Sequence, residues 1–145
     1  MPDERDRESL RDLDGVRLEI DELSLAAPLK GISSDDLKRT VDLKLRQAGV
    51  AVLNQGAYPV GDPYLRVLVA TTKDQMGLAA YHVEVDFVQI VFLRRNPSVT
   101  FNRAETWKAR AATGLVPAAR LAEAILRELS GQVDQFISAY NSVNR

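Results

Sequence analysis

Three ionisable side chains recur at every second position around the only histidine of the chain. His82, Glu84 and Asp86 lie at i, i+2 and i+4, so a β-strand would place them on one face, with neighbours ~6.6 Å apart. A His-x-Glu pair on a strand can bind a metal ion, but a closed site needs ligands from another element. A proton-transfer role needs a cleft that shifts a pKa. No pattern requires either, so we interpret the trio as a solvated strand face and predict no metal site and no catalytic residue.

A second candidate group combines cations with aromatic rings between residues 94 and 110. This segment carries five basic side chains and one acidic side chain, a net charge of +4. Aromatic rings among cations can bind single-stranded nucleic acid, but the segment lacks the glycine–aromatic signature of a sheet-type RNA module. We predict that the cations neutralise the acidic N-terminal segment or aid solubility. The group consists of Arg94, Arg95, Arg103, Lys108 and Arg110 together with Phe101 and Trp107.

Two uncharged side chains also call for an explanation. Trp107 is the only tryptophan, and a tryptophan near the end of a sheet usually packs beneath a helix and finds a partner for its N–H group. A ligand contact or an interface is the alternative. Gln89 lies on an otherwise apolar strand face, where an amide without partners costs about 1–3 kcal/mol. We predict that Gln89 pairs with backbone at a strand irregularity, with a pocket or a partner subunit as the alternative.

Composition and missing motifs exclude several classes of chemistry. The 145 residues include no cysteine, which removes disulfides, thiolate metal sites and cysteine nucleophiles. The net charge of −1 provides no overall field for nucleic acid or an acidic membrane. No GxSxG, GxGxxG, phosphate-binding GKS/T, HExxH or EF-hand pattern occurs. We therefore predict no cofactor and no enzymatic activity.

Hydropathy patterning bears on the location of the chain. The longest apolar runs fall short of the ~20 residues of a membrane helix, so we predict no membrane insertion. The stretch MPDERDRESLRDLDG is charged and is not a signal peptide. We expect a cytoplasmic protein, with the periplasm as the alternative if a leader peptide has been removed or the start is mis-set.

Repeats of apolar side chains predict the elements that position these residues. Alternation with period two predicts strands at about 16–25, 65–70, 78–94 and 99–109, and the apolar run 50–53 predicts a short buried strand. The second half of 78–94 is apolar on both faces. Ser33-Ser34-Asp35-Asp36 is typical of a helix start, Gly49 is typical of its end, and a longer apolar stripe predicts a helix over 117–143.

These elements predict one domain at residues 15–145, preceded by a disordered charged tail at 1–14. Residues 1–22 hold nine acidic and four basic side chains, a net charge of −5. The order β-α-β-β-β-β-α predicts an α+β two-layer sandwich. We expect a mainly antiparallel sheet of about five strands with two helices on one face, and a partly wet opposite face.

Four landmarks also carry a resemblance to known families. They are residues 33–52 (SSDDLKRTVDLKLRQAGVAV), the long strand 80–94, Thr106-Trp107, and the ending VDQFISAYNSVN at 133–144. Over 15–144 the chain resembles small exported α+β domains of Gram-negative bacteria, namely the N-terminal domain of the Tol–Pal translocation protein and the outer-membrane lipopolysaccharide-assembly lipoprotein. It also resembles an uncharacterised bacterial family with these landmarks. The resemblance implies two helices on a mixed or antiparallel sheet and a role in the cell envelope, and it transfers no catalytic residue.

The function that we expect is a non-enzymatic binding or assembly domain. Its partner would be another protein or a second copy, bound through a sheet edge or the C-terminal helix. The alternative is a small-ligand or nucleic-acid module on the open sheet face, although the net charge argues against nucleic acid. An enzyme would require the histidine and its neighbouring carboxylates to converge in a cleft. The weak candidates for a ligand or interface site are Trp107, Arg94, Arg103, His82, Glu84 and Gln89.

Overall fold

Five strands and three helices make up the fold in a computed structural model, which describes residues 4–24, 32–54, 56 and 59–144. The strands are β1 (Arg17–Ser24), β2 (Tyr64–Lys73), β3 (Leu78–Leu93), β4 (Asn96–Lys108) and β5 (Ala112–Pro117). The helices are α1 (Glu4–Glu8), α2 (Ser34–Gln47) and α3 (Leu121–Val143), and a 3-10 turn (Ala118–Arg120) leads into α3. The predicted α+β two-layer fold is confirmed.

The sheet is mixed but mostly antiparallel, in the order β1-β2-β3-β4. β1 and β2 are parallel, because α2 lies between them in the chain and returns it to the same end of the sheet. The other pairings are antiparallel. β3 is long enough to take two partners on one side, since β5 pairs with its first half and β4 with its second half.

The hydrophobic core lies between one face of the sheet and the two long helices. Alternate residues of β2 and β3 face the helices and are buried, as period-two patterning predicts. α3 packs across β3, and α2 packs on β1 and against α3. The ring of Phe136 from α3 stacks on Phe87, with 6.0 Å between centroids, and Lys44 Nζ of α2 lies 2.8 Å from Asp134 Oδ1 of α3.

Both predicted ends of α2 are confirmed. The Ser33 hydroxyl accepts a hydrogen bond from the Asp36 amide at 3.1 Å, and the Asp36 carboxylate accepts one from the Ser33 amide at 2.9 Å. This reciprocal pair is a capping box. Gly49 adopts a φ of +82° just past the helix, a conformation that favours glycine.

Two strand predictions are corrected by the structure. Residues 50–53 form only a single parallel bridge between Val52 and Val16, because this run meets β1 only where β1 begins. Conversely, β5 was not predicted, since a six-residue strand with a glycine and a proline has little strand signal. Gly114 is required there, because a Cβ atom at this position would clash with the ring of Tyr81.

The prediction of a disordered tail at 1–14 is wrong for residues 4–14, while residues 1–3 lie outside the described residues. α1 packs on α3 and β4, and Leu10 is fully buried. Two side chains at the C-terminal end of α3 bind the backbone of this segment. The side-chain amide of Asn144, the residue that follows α3, donates to Leu10 O at 2.7 Å, and the Tyr140 hydroxyl donates to Leu13 O at 3.1 Å. One buried leucine and these bonds order a segment that its charge alone would leave exposed.

No helix within the described ranges combines the length and the hydropathy needed to cross a lipid bilayer.

Candidate functional site

β3 and β4 continue past the rest of the sheet as a two-stranded ribbon, residues 89–104, which we call the arm. β2 pairs with β3 only as far as Tyr64 and Val88, and one further bond joins the Ile90 amide to Gly61 O at 2.7 Å. Beyond this point β3 pairs with β4 alone, through Val91 with Phe101 and then to the turn. The arm therefore projects from the edge of the core.

The arm exposes apolar side chains on both of its faces. Phe101 shares one face with Val91, and Ile90 and Phe92 lie on the other. The exposed fractions are 64% for Phe92, 51% for Phe101, 40% for Ile90 and 37% for Val99. Clustered exposed apolar groups of this kind mark binding surfaces in soluble proteins. The turn at the tip carries Arg94 and Arg95, both exposed.

Irregularities in β4 shape the base of the arm. The register shifts between Phe87 and Val88 and between Gln89 and Val91, with one extra residue on β4 each time, and it shifts again between Phe92 and Leu93 near the tip. Such bulges bend a strand and increase its twist. Gln89 Nε2 donates to Thr106 Oγ1 at 3.0 Å and to Ser9 O at 3.2 Å. The predicted pairing of Gln89 with backbone at a strand irregularity is confirmed, and this contact ties the residue that follows α1 to the base of the arm.

The sheet face opposite the helices carries a row of alternating charges. Glu19, Arg66, Asp86 and Lys108 are in register across four strands. Arg66 Nε and Nη2 lie 2.9 and 2.6 Å from the two carboxylate oxygens of Asp86, which is 3% exposed. The hydrogen-bonded carboxylate of Asp86 raises the pKa of Arg66 above its ordinary value. The charges on this face therefore largely neutralise one another.

Arg103 joins the same face from the arm. Its guanidinium forms an ion pair with Glu19 and lies 5.6 Å from the centroid of the Tyr64 ring, on which Arg17 also packs at 4.3 Å. Arg103 therefore makes the predicted contact with the acidic N-terminal segment. Arg94 lies apart from it, at the tip of the arm.

His82, Glu84 and Asp86 share a face, as predicted, but they do not converge on one site. His82 Nε2 is 3.7 Å from Glu84 Oε1, and its Nδ1 is 2.8 Å from Thr113 Oγ1. Asp86 is held by Arg66 instead. No group of three or more metal-binding side chains occurs among the residues that the structure describes.

Trp107 lies on the helix-covered face and is 2% exposed. Its ring meets Phe136 edge-on, with 5.4 Å between centroids, so the predicted packing beneath a helix is confirmed. The predicted partner for its N–H group is not found, because Nε1 has none among the described residues. Trp107 and Arg103 lie on opposite faces of the sheet, and the candidates for a ligand site are not brought together.

Elsewhere on the surface, two of the open clefts that described residues line each have a volume of about 500 Å³. One runs between Arg7 of α1 and the 131–139 stretch of α3, above Trp107. The other lies between α2 and residues 52–54. Of the predicted candidates, only Trp107 lines either cleft.

The arm was the feature that sequence reasoning missed. Its signal was the second half of 78–94, which is apolar on both faces and is therefore typical of a strand covered on both sides. Phe87 and Val88 in this stretch are buried, but nothing in the described residues fully covers Ile90 or Phe92. Comparison with protein-family models and with characterised proteins found no match to this chain.

Proposed function

We propose that this chain is a non-enzymatic binding and assembly domain that acts through protein–protein contacts of the arm. The observation that carries the proposal is the exposure of Phe92 and Phe101 on opposite faces of a projecting ribbon. Covering an apolar side chain of this size contributes about 1.5–3 kcal/mol, and aromatic anchors often dominate binding energy. Two such anchors on one ribbon supply a binding surface that the chain itself does not cover among its described residues.

The arrangement of charge favours a protein over a membrane as the partner. Arg94 and Arg95 form the tip of the arm, and the apolar side chains lie behind them. For these apolar groups to enter hydrocarbon, the two cations would have to enter first, which is unfavourable. A protein that grips the flanks of the arm can leave the tip in water.

The alternative, a small-ligand or nucleic-acid module on the open sheet face, has less support. Arg66 and Arg103 are engaged by Asp86 and Glu19, so a phosphate would have to displace a carboxylate from each. His82, Glu84 and Asp86 do not converge, so these side chains do not form a site that would support an enzymatic function.

A setting in the cell envelope is part of the proposal. It is supported by the resemblance to exported domains of Gram-negative bacteria, and the cytoplasm is the alternative compartment. Fractionation of cells that make the natural protein distinguishes the two compartments.

Site-specific photocross-linking in producing cells tests the proposed function. A photoreactive phenylalanine derivative would replace Phe92 or Phe101, and the matched control would carry it at Met76, an exposed apolar residue in the β2–β3 turn. We expect covalent protein adducts from positions 92 and 101 and none from 76. Equal adducts at all three positions, or none at the arm, would contradict the proposal.

A further inference from the structure

The cleft of about 500 Å³ between α1 and α3 has the size of a site for a small organic molecule. Arg7 lines it on the α1 side, Gly131, Ser138 and Ala139 line it on the α3 side, and the buried ring of Trp107 lies beneath. None of the described residues that line the cleft belongs to the arm. A ligand bound here would therefore occupy a site separate from the binding surface proposed above.

Two hydrogen-bond donors that line this cleft have no acceptor among the residues that the structure describes. The Nε1–H group of Trp107 is buried and unpartnered, and a buried donor without an acceptor is unfavourable. The guanidinium of Arg7 is half-buried, and it makes no hydrogen bond or ion pair within the described part of the chain. One of these donors carries a positive charge, so the acceptor that suits both of them is an anion.

The acidic side chains around the cleft are already engaged. Asp134 is the only acid among the described residues that line it, and Lys44 Nζ lies 2.8 Å from Asp134 Oδ1. Glu8 follows Arg7 in α1, but its carboxylate accepts two hydrogen bonds from Arg11, at 2.7 and 2.8 Å. The two donors are therefore left for an anion from outside the chain.

Gly131 provides room for the body of such a ligand. It lies inside α3, where glycine is unfavourable relative to alanine, yet a Cβ atom at this position would meet nothing within 4 Å beyond the helix backbone. The packing of the described chain thus gives no reason for a glycine. A molecule lying against the helix in the cleft gives one, because a side chain at position 131 would occupy its space.

From these observations we infer that the cleft binds a small organic carboxylate with an apolar body, independently of the proposed function. The carboxylate pairs with Arg7 and accepts a hydrogen bond from Trp107 Nε1, while the apolar body lies along Gly131 and Ala139. Because the indole N–H group is shielded from solvent, α1 shifts outwards as the ligand enters. This shift leaves the core intact, since α1 buries none of its five residues.

NMR of the full chain tests the inference with phenylbutyrate as the probe and phenylbutanamide as its uncharged counterpart. The chain has one tryptophan, so its indole N–H group gives a single signal. We expect saturable binding of phenylbutyrate with a Kd of about 1 mM or lower, as suits a ligand of this size. The indole signal should move downfield as the group gains an acceptor, and the amide should bind at least tenfold more weakly.

Two substitutions test the two parts of the site. Gly131→Leu fills the cleft and should abolish binding, and the variant should stay folded because leucine favours a helix more than glycine does. Arg7→Gln should weaken phenylbutyrate at least tenfold and leave the affinity for the amide unchanged. Arg5→Gln is the matched control, since Arg5 is an exposed cation of the same helix and does not line the cleft, and it should change neither affinity.

Several results would overturn the inference. They are an absence of saturable phenylbutyrate binding to the natural chain up to tenfold above the expected Kd, equal affinities for the two probes, an indole signal that does not move on saturation, and binding that Gly131→Leu leaves intact. Cross-linking from positions 92 and 101 does not depend on this cleft. Failure of the inference and failure of the proposed function are therefore distinguishable.

Discussion

The side-chain amide of Gln132 completes a gap in the sheet by accepting a hydrogen bond from the Val85 amide at 2.9 Å. The same amide donates to Val83 O, also at 2.9 Å. The gap exists because β4 ends at Lys108 and β5 begins at Ala112, which leaves Glu84 and Val85 without a strand partner on the side of β3 that faces away from β2. A helix side chain therefore replaces a strand, and this explains a fully buried glutamine in α3.

Replacing Gln132 by leucine should destabilise the fold strongly. Two buried backbone groups would lose their partners, at roughly 1–3 kcal/mol each. The control is Gln135→Leu, since Gln135 is exposed and accepts one hydrogen bond, from the Arg110 amide. The loss of stability in this variant should stay within about 0.5–1.5 kcal/mol. Urea unfolding measures both. Equal losses would mean that the gap in the sheet does not need Gln132.

Removing Arg66 alone from its ion pair with Asp86 should cost more stability than removing both partners, because the single substitution leaves a buried charge without a partner. Arg66→Met leaves the carboxylate of Asp86 buried without its partner, which we expect to cost about 3–5 kcal/mol. The double variant Arg66→Met with Asp86→Leu should recover most of that loss, because no uncompensated charge remains. Arg46→Met, which breaks an exposed pair on α2, should change the free energy of unfolding by less than about 1 kcal/mol. A double variant no more stable than Arg66→Met would contradict this account.

The cap of α2 should make stability depend on pH in acid. The hydrogen bond from the Ser33 amide, followed by that from its hydroxyl, lowers the pKa of Asp36 below the ordinary value. A carboxylate with a lowered folded-state pKa stabilises the fold above its unfolded-state pKa, near 3.9, and loses this contribution as pH falls through the folded value. NMR titration should show the lowered pKa in the natural chain. Ser33→Ala should raise it only part of the way, since the backbone donor remains.

A substitution at Leu10 tests whether residues 4–14 are ordered in solution. Leu10→Ala should cost about 2–5 kcal/mol, as for other buried leucines. The matched control is Leu43→Ala on the exposed face of α2, where the change should stay within about 0.5 kcal/mol. If residues 4–14 were a disordered tail, both substitutions would be equally mild.

Local patterning predicted the elements whose signal lies within their own residues. The alternation through Tyr81, Val83 and Val85 predicted β3, because side chains in a strand alternate between faces. The stripe through Leu129, Val133 and Phe136 predicted α3 in the same way. These repeats are enough for the fold class and for the β3–β4 hairpin, but they do not predict that the outer part of this hairpin projects as the arm.

What local patterning missed depends on contacts between distant residues. The ion pair of Arg66 with Asp86 follows from cross-strand register, and the role of Gln132 follows from a break between two strands that neither segment encodes alone. The exposure of Phe92 could not be predicted either. An apolar alternation shows that a side chain needs cover, but it does not show whether the cover comes from the same chain.

Protection of the arm in cells tests the central claim most directly. A single cysteine would be introduced at Asn102 on the arm or, as the control, at Met76 in the β2–β3 turn, and maleimide labelling rates compared between producing cells and dilute purified protein. We predict that the rate at position 102, relative to that at 76, falls several-fold in cells because a partner covers the arm. An unchanged ratio would contradict the claim that the arm is a binding surface.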